Sequence, residues 1–483
     1  MGACASRGYH PALEKPKSSS KGARTSSFAK PKDLSFTYEN RIVSTTVGKS
    51  TAIDDLHSFL LSEFGIDEST HVVSGVLVTV TGPLMPFFML PYLHPNTEDN
   101  PYRIILAPIK EFAINNWGCA PDEQEQADAT FEWSQVEELM RASGDSDQNL
   151  YDSPSSSLLA SRIFELLRRY GYIRLHLPSS SPIPEIVQAA TTSVHRYFAK
   201  PEDEKRKKFL GFNQQKFVGF SHAKGSARQF IQLRTTRRKI TNTDKVVPVF
   251  DVELTQAYLA LQSIAYQLFK LMCHPGLTSQ THLSPELYSS HVDAPCSSLE
   301  SFNECESVPS NQFVGTNVFR IYQYLRDGLK KGSDSDSSPS PGFMGAATTV
   351  HSDMGLLTVS PHSNLPGLTV LKHSDASRWV NVEMKPGSSC VDGSDLEKNY
   401  IFVFAGETMA QLTKGYLLAP LHFVDERTPT VPRFSMPFFL RARQKAVLPA
   451  VEGFCGAMTV EHFMTKVLHQ WKQVWGEKPT TDF

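Results

Sequence analysis

The spacing of apolar residues predicts a group of helices in the middle of the chain. Five apolar residues recur at helical spacing ahead of Gly171, a residue type that commonly ends a helix: Leu159, Ile163, Leu166, Leu167 and Tyr170. Helices are also predicted over Trp133–Arg141, Pro184–Phe198 and Asp251–Met272, and the last of these is amphipathic. The pattern therefore favours helices that pack one face against a sheet.

Strand patterns dominate the region that follows these helices. Gly367–Val380 is typical of a hairpin, with its turn at residues 374–377. The other predicted strands in this part of the chain are Asn317–Leu325, Val350–Val359, Tyr400–Glu407 and Pro432–Leu440. Polar insertions over residues 332–341 and 385–399 interrupt the pattern, and such tracts are typical of surface loops.

The segment from Thr70 to Asn96 contains no Lys, Arg, Asp or Glu, which raises the question of a transmembrane helix. It also contains two glycines and four prolines, and the run Val76–Thr81 is rich in β-branched residues. We therefore predict buried strands joined by a Gly-Pro turn rather than a membrane span.

Composition and charge describe an ordinary globular chain. Of the 483 residues, 40% are hydrophobic and 20% are charged, and the net charge is −2. This balance gives no overall attraction to nucleic acid. The seven cysteines form no C-x-x-C pair, which favours a reducing, cytoplasmic environment over a disulfide framework.

The first residues match a lipidation pattern. Gly2 follows the initiator Met and Ser6 stands at the required position for N-myristoylation, while Cys4 offers a palmitoylation site. Residues 1–32 carry seven Lys or Arg and one acid, so they predict a disordered basic tail. The alternative is a floppy N-terminus that matches a short pattern by chance. Acylation would anchor the protein to the cytoplasmic face of a membrane.

Candidate metal ligands lie in the strand-rich region. His351 and Asp353 are two residues apart, so in a strand their side chains would share one face. Together with His422 they would form a 2-His-1-carboxylate facial site, the arrangement typical of non-haem Fe(II). The tripeptide His373-Ser374-Asp375 repeats the motif, but it stands at the hairpin turn and is the weaker candidate. A zinc hydrolase with a similar ligand set is disfavoured, because it would leave the R-x-S motif at Arg433–Ser435 without a role.

The ordered set of H-x-D, a later His and R-x-S resembles the isopenicillin N synthase-like family of Fe(II)/2-oxoglutarate-dependent dioxygenases, from about Leu158 to Arg443. The resemblance implies a mainly β fold with flanking helices, namely a double-stranded β-helix (jelly roll) with an N-terminal α/β subdomain. The expected organisation is a tail (1–32), an extension of unknown role (33–150), the N-terminal half of the dioxygenase (151–300), the jelly roll (310–443) and a C-terminal helix (444–483).

The resemblance also implies roles for individual residues. Fe(II) would bind His351, Asp353 and His422, with 2-oxoglutarate and O2 at the open positions. Arg433 would hold the distal carboxylate of 2-oxoglutarate as a bidentate pair, with Ser435 as a further donor. Tyr324 matches best the tyrosine that contacts the same carboxylate, and Tyr322 is the second choice because the usual Asn-x-Tyr-Pro is not reproduced.

Three function classes remain open from the sequence. The first is a 2-oxoglutarate-dependent oxygenase that hydroxylates or otherwise oxidises a small-molecule C–H and releases succinate and CO2. The second is an oxidase of the same fold that uses O2 without 2-oxoglutarate. The third is a lipid-anchored scaffold without turnover, which the complete ligand set argues against. The sequence does not identify the substrate.

Overall fold

The computed structural model describes most of the chain between residues 31 and 467. The described residues are 31–48, 51, 53–77, 84–86, 95–99, 101–108, 120–144, 146–207, 209–211, 217–222, 228–237, 250–306, 308, 312, 314–324, 351–372, 379–386, 399–424, 432–450, 456–465 and 467. The acylation sites Gly2 and Cys4, the insertion at 332–341 and the hairpin turn that holds His373 lie outside this set.

An N-terminal unit has its own sheet and its own core. Its elements are β1 (Lys32–Tyr38), β2 (Arg41–Val47), α1 (Ile53–Phe64), β3 (His71–Leu77), β4 (Leu84–Pro86) and β5 (Tyr102–Pro108). The strand order is β2-β1-β5-β3-β4, and β1 runs parallel to β5 while the other pairs are antiparallel. Leu56, Leu60 and Leu61 of α1 are buried against Leu34 and Phe36 of the sheet. The sequence-predicted strands between Thr70 and Asn96 are thus present as β3 and β4, which pair antiparallel.

The helices that follow belong to the main body. They are α2 (Glu123–Asp128), α3 (Trp133–Ser143), α4 (Asp147–Asp152), α5 (Pro154–Tyr170), α6 (Ile183–Phe198), α7 (Glu202–Arg206), α8 (Val252–Met272), α9 (Thr278–Thr281), α10 (Pro285–His291) and α11 (Glu407–Leu412). Residues 460–465 are also helical. No helix in the described part of the chain is long and apolar enough to cross a bilayer.

The main body contains a large sheet, a small three-stranded sheet and a two-stranded ribbon. Its strands are β6 (Thr130–Glu132), β7 (Ile173–His176), β8 (Phe209–Gly211), β9 (Phe217–His222), β10 (Arg228–Leu233), β11 (Val318–Tyr324), β12 (Leu357–Pro361), β13 (Leu368–Leu371), β14 (Trp379–Asn381), β15 (Tyr400–Ala405), β16 (His422–Val424), β17 (Arg433–Ser435), β18 (Phe438–Leu440), β19 (Val447–Leu448) and β20 (Met458–Thr459). The large sheet has the order β6-β7-β15-β12-β18-β11-β10-β9-β8, with β17 also paired to β11, and the small sheet has the order β14-β13-β16. The fold is the expected jelly roll with flanking helices.

Helix α8 forms the centre of the main core. Its Tyr258 ring makes edge contacts with Phe302, Phe319 and Phe438, which joins the helix to the large sheet. Helices α5 and α6 also pack against α8. Helix α5 ends as its sequence predicts, because Gly171 adopts a left-handed conformation (φ 84°) and its N–H donates to the Leu167 carbonyl.

The main core also includes part of the region expected to be an N-terminal extension. Phe131, Trp133, Val136 and Leu150 are buried in the same cluster as α8, and β6 extends the large sheet beside β7. Residues just before the expected boundary at 150 thus share this core, and short strands such as β6 carry too little pattern to be recognised from sequence.

Candidate active site

Three side chains meet between the large sheet and the three-stranded sheet and form a candidate metal site. The Nε2 atoms of His351 and His422 lie 4.0 and 3.8 Å from Oδ1 of Asp353. One ligand atom from each residue lies within 4.8 Å of the others. Bonds of roughly 2 Å from one ion can reach all three. The His351 side chain is 26% exposed, whereas those of Asp353 and His422 are 10% and 6% exposed, so access to the site is from the His351 side.

The two histidines are held together by their backbones. His351 and His422 form an isolated antiparallel bridge, with N···O distances of 3.0 and 2.8 Å. The Nδ1 atom of His422 lies 3.1 Å from the Pro420 carbonyl, to which it can only donate. This bond fixes the tautomer that leaves Nε2 of His422 free to bind a metal.

Asp353 is oriented by its neighbours. The Thr358 hydroxyl donates to Oδ2, which leaves Oδ1 facing both imidazoles. The Asp353 carbonyl accepts from the Glu407 N–H at 2.7 Å. A Cβ at Gly406 would lie 2.8 Å from this carbonyl oxygen and 2.3 Å from that of Gly355, so only glycine fits between them.

The local structure at the ligands differs from the expected strand. Strand β12 begins at Leu357, and residues 352 and 353 are irregular. The alternation rule therefore does not explain why His351 and Asp353 meet. They meet because the His351–His422 bridge and the contacts at Gly406 bend the segment before β12 over the end of the small sheet.

Buried polar groups surround the ligand segment. The Ser352 hydroxyl donates to the Glu407 carboxylate. Burial, together with the charge of Asp353, raises the pKa of Glu407 to about 7, although the bond from Ser352 lowers it.

A second cluster contains three residues predicted to bind the cosubstrate. Arg433 and Ser435 lie on β17 and pair with Tyr324 and Tyr322 of β11. The Tyr324 hydroxyl lies 3.1 Å from that of Ser435, and the Arg433 guanidinium carbon lies 5.1 Å from the centre of the Tyr324 ring. Tyr322 instead accepts a hydrogen bond from Arg320 at 3.1 Å. The structure therefore brings Tyr324, not Tyr322, to Arg433 and Ser435.

Arg433 is already paired with a carboxylate. Its Nη2 donates to Oε2 of Glu383 at 2.9 Å and to the Ser363 hydroxyl at 2.7 Å, and its Nε donates to the Leu365 carbonyl at 3.0 Å. Glu383 also accepts from the backbone N–H groups of Ser363, Gly367 and Leu368. Burial alone would raise the pKa of Glu383, but the Arg433 cation, His362 and these donors lower it to about 2.

This pairing limits the contacts that Arg433 can offer to a ligand. Two of its three nitrogens are occupied by Leu365, Ser363 and Glu383, and Nη1 is buried without a hydrogen-bond partner among the described residues. A buried guanidinium N–H without an acceptor is costly. A carboxylate oxygen at Nη1, with the Ser435 and Tyr324 hydroxyls beside it, would satisfy this donor. The residues present therefore fit the distal carboxylate of 2-oxoglutarate through one nitrogen of Arg433.

Sequence reasoning missed Glu383, Ser363 and Thr358. Glu383 is 50 residues from Arg433 in the chain and follows a strand without any motif, so no local signal identifies it. Thr358 could have been noticed, since it follows the H-x-D motif by five residues, but a threonine in a strand is common.

Comparisons with known proteins find similarity over parts of the chain. Residues 334–442 match the model for the 2OG-Fe(II) oxygenase superfamily. A 1-aminocyclopropane-1-carboxylate oxidase from Dictyostelium mucoroides is 21% identical over 316 residues, which cover 58% of this chain and 76% of the relative. A 2-oxoglutarate-dependent dioxygenase from Didymella fabae is 31% identical over 107 residues, which cover 21% of this chain and 28% of the relative. The crystal structure of a 2OG-Fe(II) oxygenase family protein from Caulobacter crescentus aligns with 17% identity and a TM-score of 0.46, over 71% of this chain and 98% of that one.

Proposed function

The chain belongs to the 2OG-Fe(II) oxygenase superfamily, as its motifs predicted, and from this premise we propose that it hydroxylates or otherwise oxidises a C–H bond of a small molecule. In this proposal the enzyme depends on Fe(II) and 2-oxoglutarate and uses O2. The observation that carries the proposal is the convergence of His351, Asp353 and His422 within 4.8 Å, beside an arginine with one unsatisfied nitrogen.

The chain supplies ligands, orientation and a dry environment. His351, Asp353 and His422 would hold Fe(II) on one face, which leaves positions for 2-oxoglutarate and O2. When bound, this set of groups supplies the oxidising chemistry, in which 2-oxoglutarate is converted to succinate and CO2 while the substrate is oxidised. Arg433, Ser435 and Tyr324 would orient the far carboxylate. Burial raises the pKa of Tyr324, although Arg433 and Ser435 oppose this, so its hydroxyl stays protonated as a donor.

Metal binding tests the assignment of the ligands, and the repeated tripeptide offers a matched control. We expect His351→Ala to lower Mn(II) affinity by at least about 10-fold, since one of three ligands is lost. His373→Ala makes the same chemical change in the other His-Ser-Asp tripeptide and should leave the affinity unchanged. Calorimetric titration of the two variants measures this, and the reverse result would overturn the choice between the two copies.

An oxidase that needs no 2-oxoglutarate is the second candidate. The observation that favours it is the Glu383 carboxylate, which already neutralises Arg433 and so weakens the demand for a dicarboxylate. Titration of 2-oxoglutarate into the Mn(II)-loaded protein separates the two. Binding that is lost in Arg433→Gln supports the oxygenase, and absence of binding supports the oxidase. A scaffold without turnover would consume no oxygen when loaded with iron.

The N-terminal tail supports a location at the cytoplasmic face of a membrane. A myristoyl chain on Gly2 gives weak binding by itself, and palmitate on Cys4 or the basic residues of the tail would strengthen it. The small-molecule substrate would then be oxidised close to that surface.

A further inference from the structure

We propose that the jelly-roll interior binds an organic anion with an apolar body, a carboxylate or a phosphate ester, through Arg441 and Arg320. This inference rests on the proposed function and identifies the chemical class of its substrate. It comes from a group of buried and half-buried arginines close to the metal ligands that the metal and cosubstrate sites do not use.

The first of these arginines lies on the inner face of β11. Arg320, Tyr322 and Tyr324 alternate along this strand and therefore point to the same side. That side also holds the cosubstrate cluster, because Tyr324 contacts Ser435. Opposite them on β10 are Phe230 and Gln232, paired with Tyr322 and Arg320 respectively.

The contacts of Arg320 are polar but uncharged. Its Nε donates to Gln232 at 2.6 Å, its Nη1 donates to the Tyr322 hydroxyl at 3.1 Å, and its guanidinium carbon lies 5.1 Å from the centre of the Phe230 ring. Among the residues that the structure describes, no carboxylate lies within 4.0 Å of its guanidinium nitrogens. Arg320 is only 5% exposed, so this cation is buried without a counter-charge in contact.

Arg441 brings a second cation to the same interior. It follows β18, and its stem packs against Gly355, two residues after the ligand Asp353: a Cβ placed at Gly355 would lie 3.7 Å from Cγ of Arg441. Its guanidinium carbon lies 6.0 Å from the centre of the Phe439 ring. Nε of Arg441 is buried and has no hydrogen-bond partner in the described part of the chain, while the residue as a whole keeps partial exposure. A cation of this kind can donate to a molecule that enters the interior.

The charges act on one another. Burial and the Arg320 cation lower the pKa of Arg441 to about 10, although Asp353 opposes this. Burial, with Arg441 and Arg320, also lowers the pKa of Arg234, which donates to the carbonyls of Gly315 and Thr316. The contact with Gly355 places Arg441 near the ligand segment, and these charge effects are those expected of cations buried close to one another.

A purely structural role does not account for this group. The same interior contains Arg433, which the chain neutralises with Glu383 at 2.9 Å. Buried cations without such a partner are costly, and an anionic ligand would remove the cost. The aromatic rings of Phe230, Tyr322 and Phe439 lie beside the guanidinium groups and offer an apolar surface for the body of the ligand. The combination fits an acid with an apolar body better than a neutral molecule.

The test compares the binding affinities of anions and of their neutral analogues for the full-length protein. The protein is loaded with Mn(II), so that binding is measured without turnover. The probes are phenylacetate against phenylacetamide, hexanoate against hexanamide, and phenyl phosphate against phenol. We expect at least one anion to bind about 10–100-fold more tightly than its neutral analogue by calorimetry, the range for a hydrogen bond to a charged group. The carboxylate and phosphate pairs show which anion the site prefers.

Substitutions show which residue causes the preference for an anion over its neutral analogue. Arg441→Gln should abolish the difference between anion and neutral analogue, and Arg441→Lys should keep part of it because the charge remains. Arg169→Gln, an exposed arginine of α5, is the control and should bind like the wild type. Thermal unfolding reports whether each variant folds. If Arg441→Gln does not fold, Arg441→Lys still tests the proposal.

Two results would overturn the inference: no anion in the panel is preferred by the wild type, or the preference survives in Arg441→Gln. Neither result bears on the proposed function, because 2-oxoglutarate binding is titrated separately and depends on Arg433. Conversely, a wild type that fails to bind 2-oxoglutarate but prefers anions would count against the proposed function alone.

Discussion

Arg433 contacts a carboxylate of its own chain on one side and leaves one nitrogen without a partner on the other. The Glu383 pairing holds the guanidinium in place and cancels most of its charge, with both side chains 3% or less exposed. Within the described part of the chain, Nη1 alone remains for a ligand. At the scale of single residues, the proposed role of Arg433 would therefore couple cosubstrate affinity to the stability of the fold.

Replacing the partner of Arg433 tests this coupling. Glu383→Gln removes the charge but keeps the size, and it leaves Arg433 as a buried cation without compensation. We expect a loss of about 3–5 kcal/mol in the free energy of unfolding. The variant should also gain more stability from added 2-oxoglutarate than the wild type does, because the ligand then supplies the missing negative charge. Denaturant titration with and without 2-oxoglutarate measures both effects, with the exposed Glu132→Gln as control.

The same carboxylate predicts how stability depends on pH. The folded-state pKa of Glu383 is about 2, below its ordinary value of 4.5, so its contribution is fully present above pH 4.5. That contribution is lost as the pH falls from about 4.5 through 2, where the folded state also takes up the proton. Wild type should therefore lose stability more steeply than Glu383→Gln over this interval in acid titrations. Parallel slopes for the two proteins would show that Glu383 is not held ionised by Arg433.

Motif spacing in the sequence selected the residues His351, Asp353, His422, Arg433 and Ser435, which the structure brings into two clusters. Glu383 and Arg441 could not be found in the same way. Each acts through a partner far away in the chain, and pairings of that kind appear only once the strands are in register.

At the scale of elements, the segment that carries Asp353 depends on two close backbone approaches. Gly406 packs against the backbone of Gly355 and Asp353, and Gly355 packs against the Leu440 carbonyl, which would lie 2.7 Å from a Cβ. The sequence predicted a strand here, because Leu356–Val359 has strand character. The bend ahead of it results from contacts with β16 and the start of α11, which no local pattern contains.

Gly406→Ala should therefore disturb the metal site without removing any ligand. The added methyl would overlap the Gly355 and Asp353 carbonyls, and the Asp353 segment must shift to relieve the overlap. We expect Mn(II) affinity to fall by about 10-fold or more, with a loss of stability of about 1–3 kcal/mol. Gly456→Ala is the control, because a Cβ there meets nothing within 4 Å. Unchanged metal affinity in Gly406→Ala would show that this contact does not position Asp353.

At the scale of the whole molecule, the described chain contains two large and separate hydrophobic cores. One belongs to the sheet of residues 32–108, and the other joins the jelly roll to the helices from residue 129 onwards. Individual strands such as β3 were predictable from composition, whereas the parallel pairing of β1 with β5 links Phe36 to Tyr102 and has no local signature.

If the tail is acylated, a single substitution at Gly2 should change where the protein is found in the cell. Gly2→Ala removes the myristoyl acceptor, so the protein should move from the membrane to the soluble fraction in cells with active N-myristoyltransferase. Cys4→Ser should release it only in part, because the first acyl chain and the basic residues remain. Turnover should be the same in all three proteins. Identical fractionation of wild type and Gly2→Ala would mean that the tail does not anchor the enzyme.

The most direct test of the central claim is the release of succinate by the iron-loaded protein. Incubation with 2-oxoglutarate, O2 and a metabolite extract should give succinate together with a product that has gained one oxygen atom. Asp353→Ala should give neither, while Asp375→Ala, the same change in the repeated tripeptide, should give both. Oxygen consumption by the wild type without succinate would contradict the account in favour of an oxidase, and no oxygen consumption at all would contradict an enzymatic role.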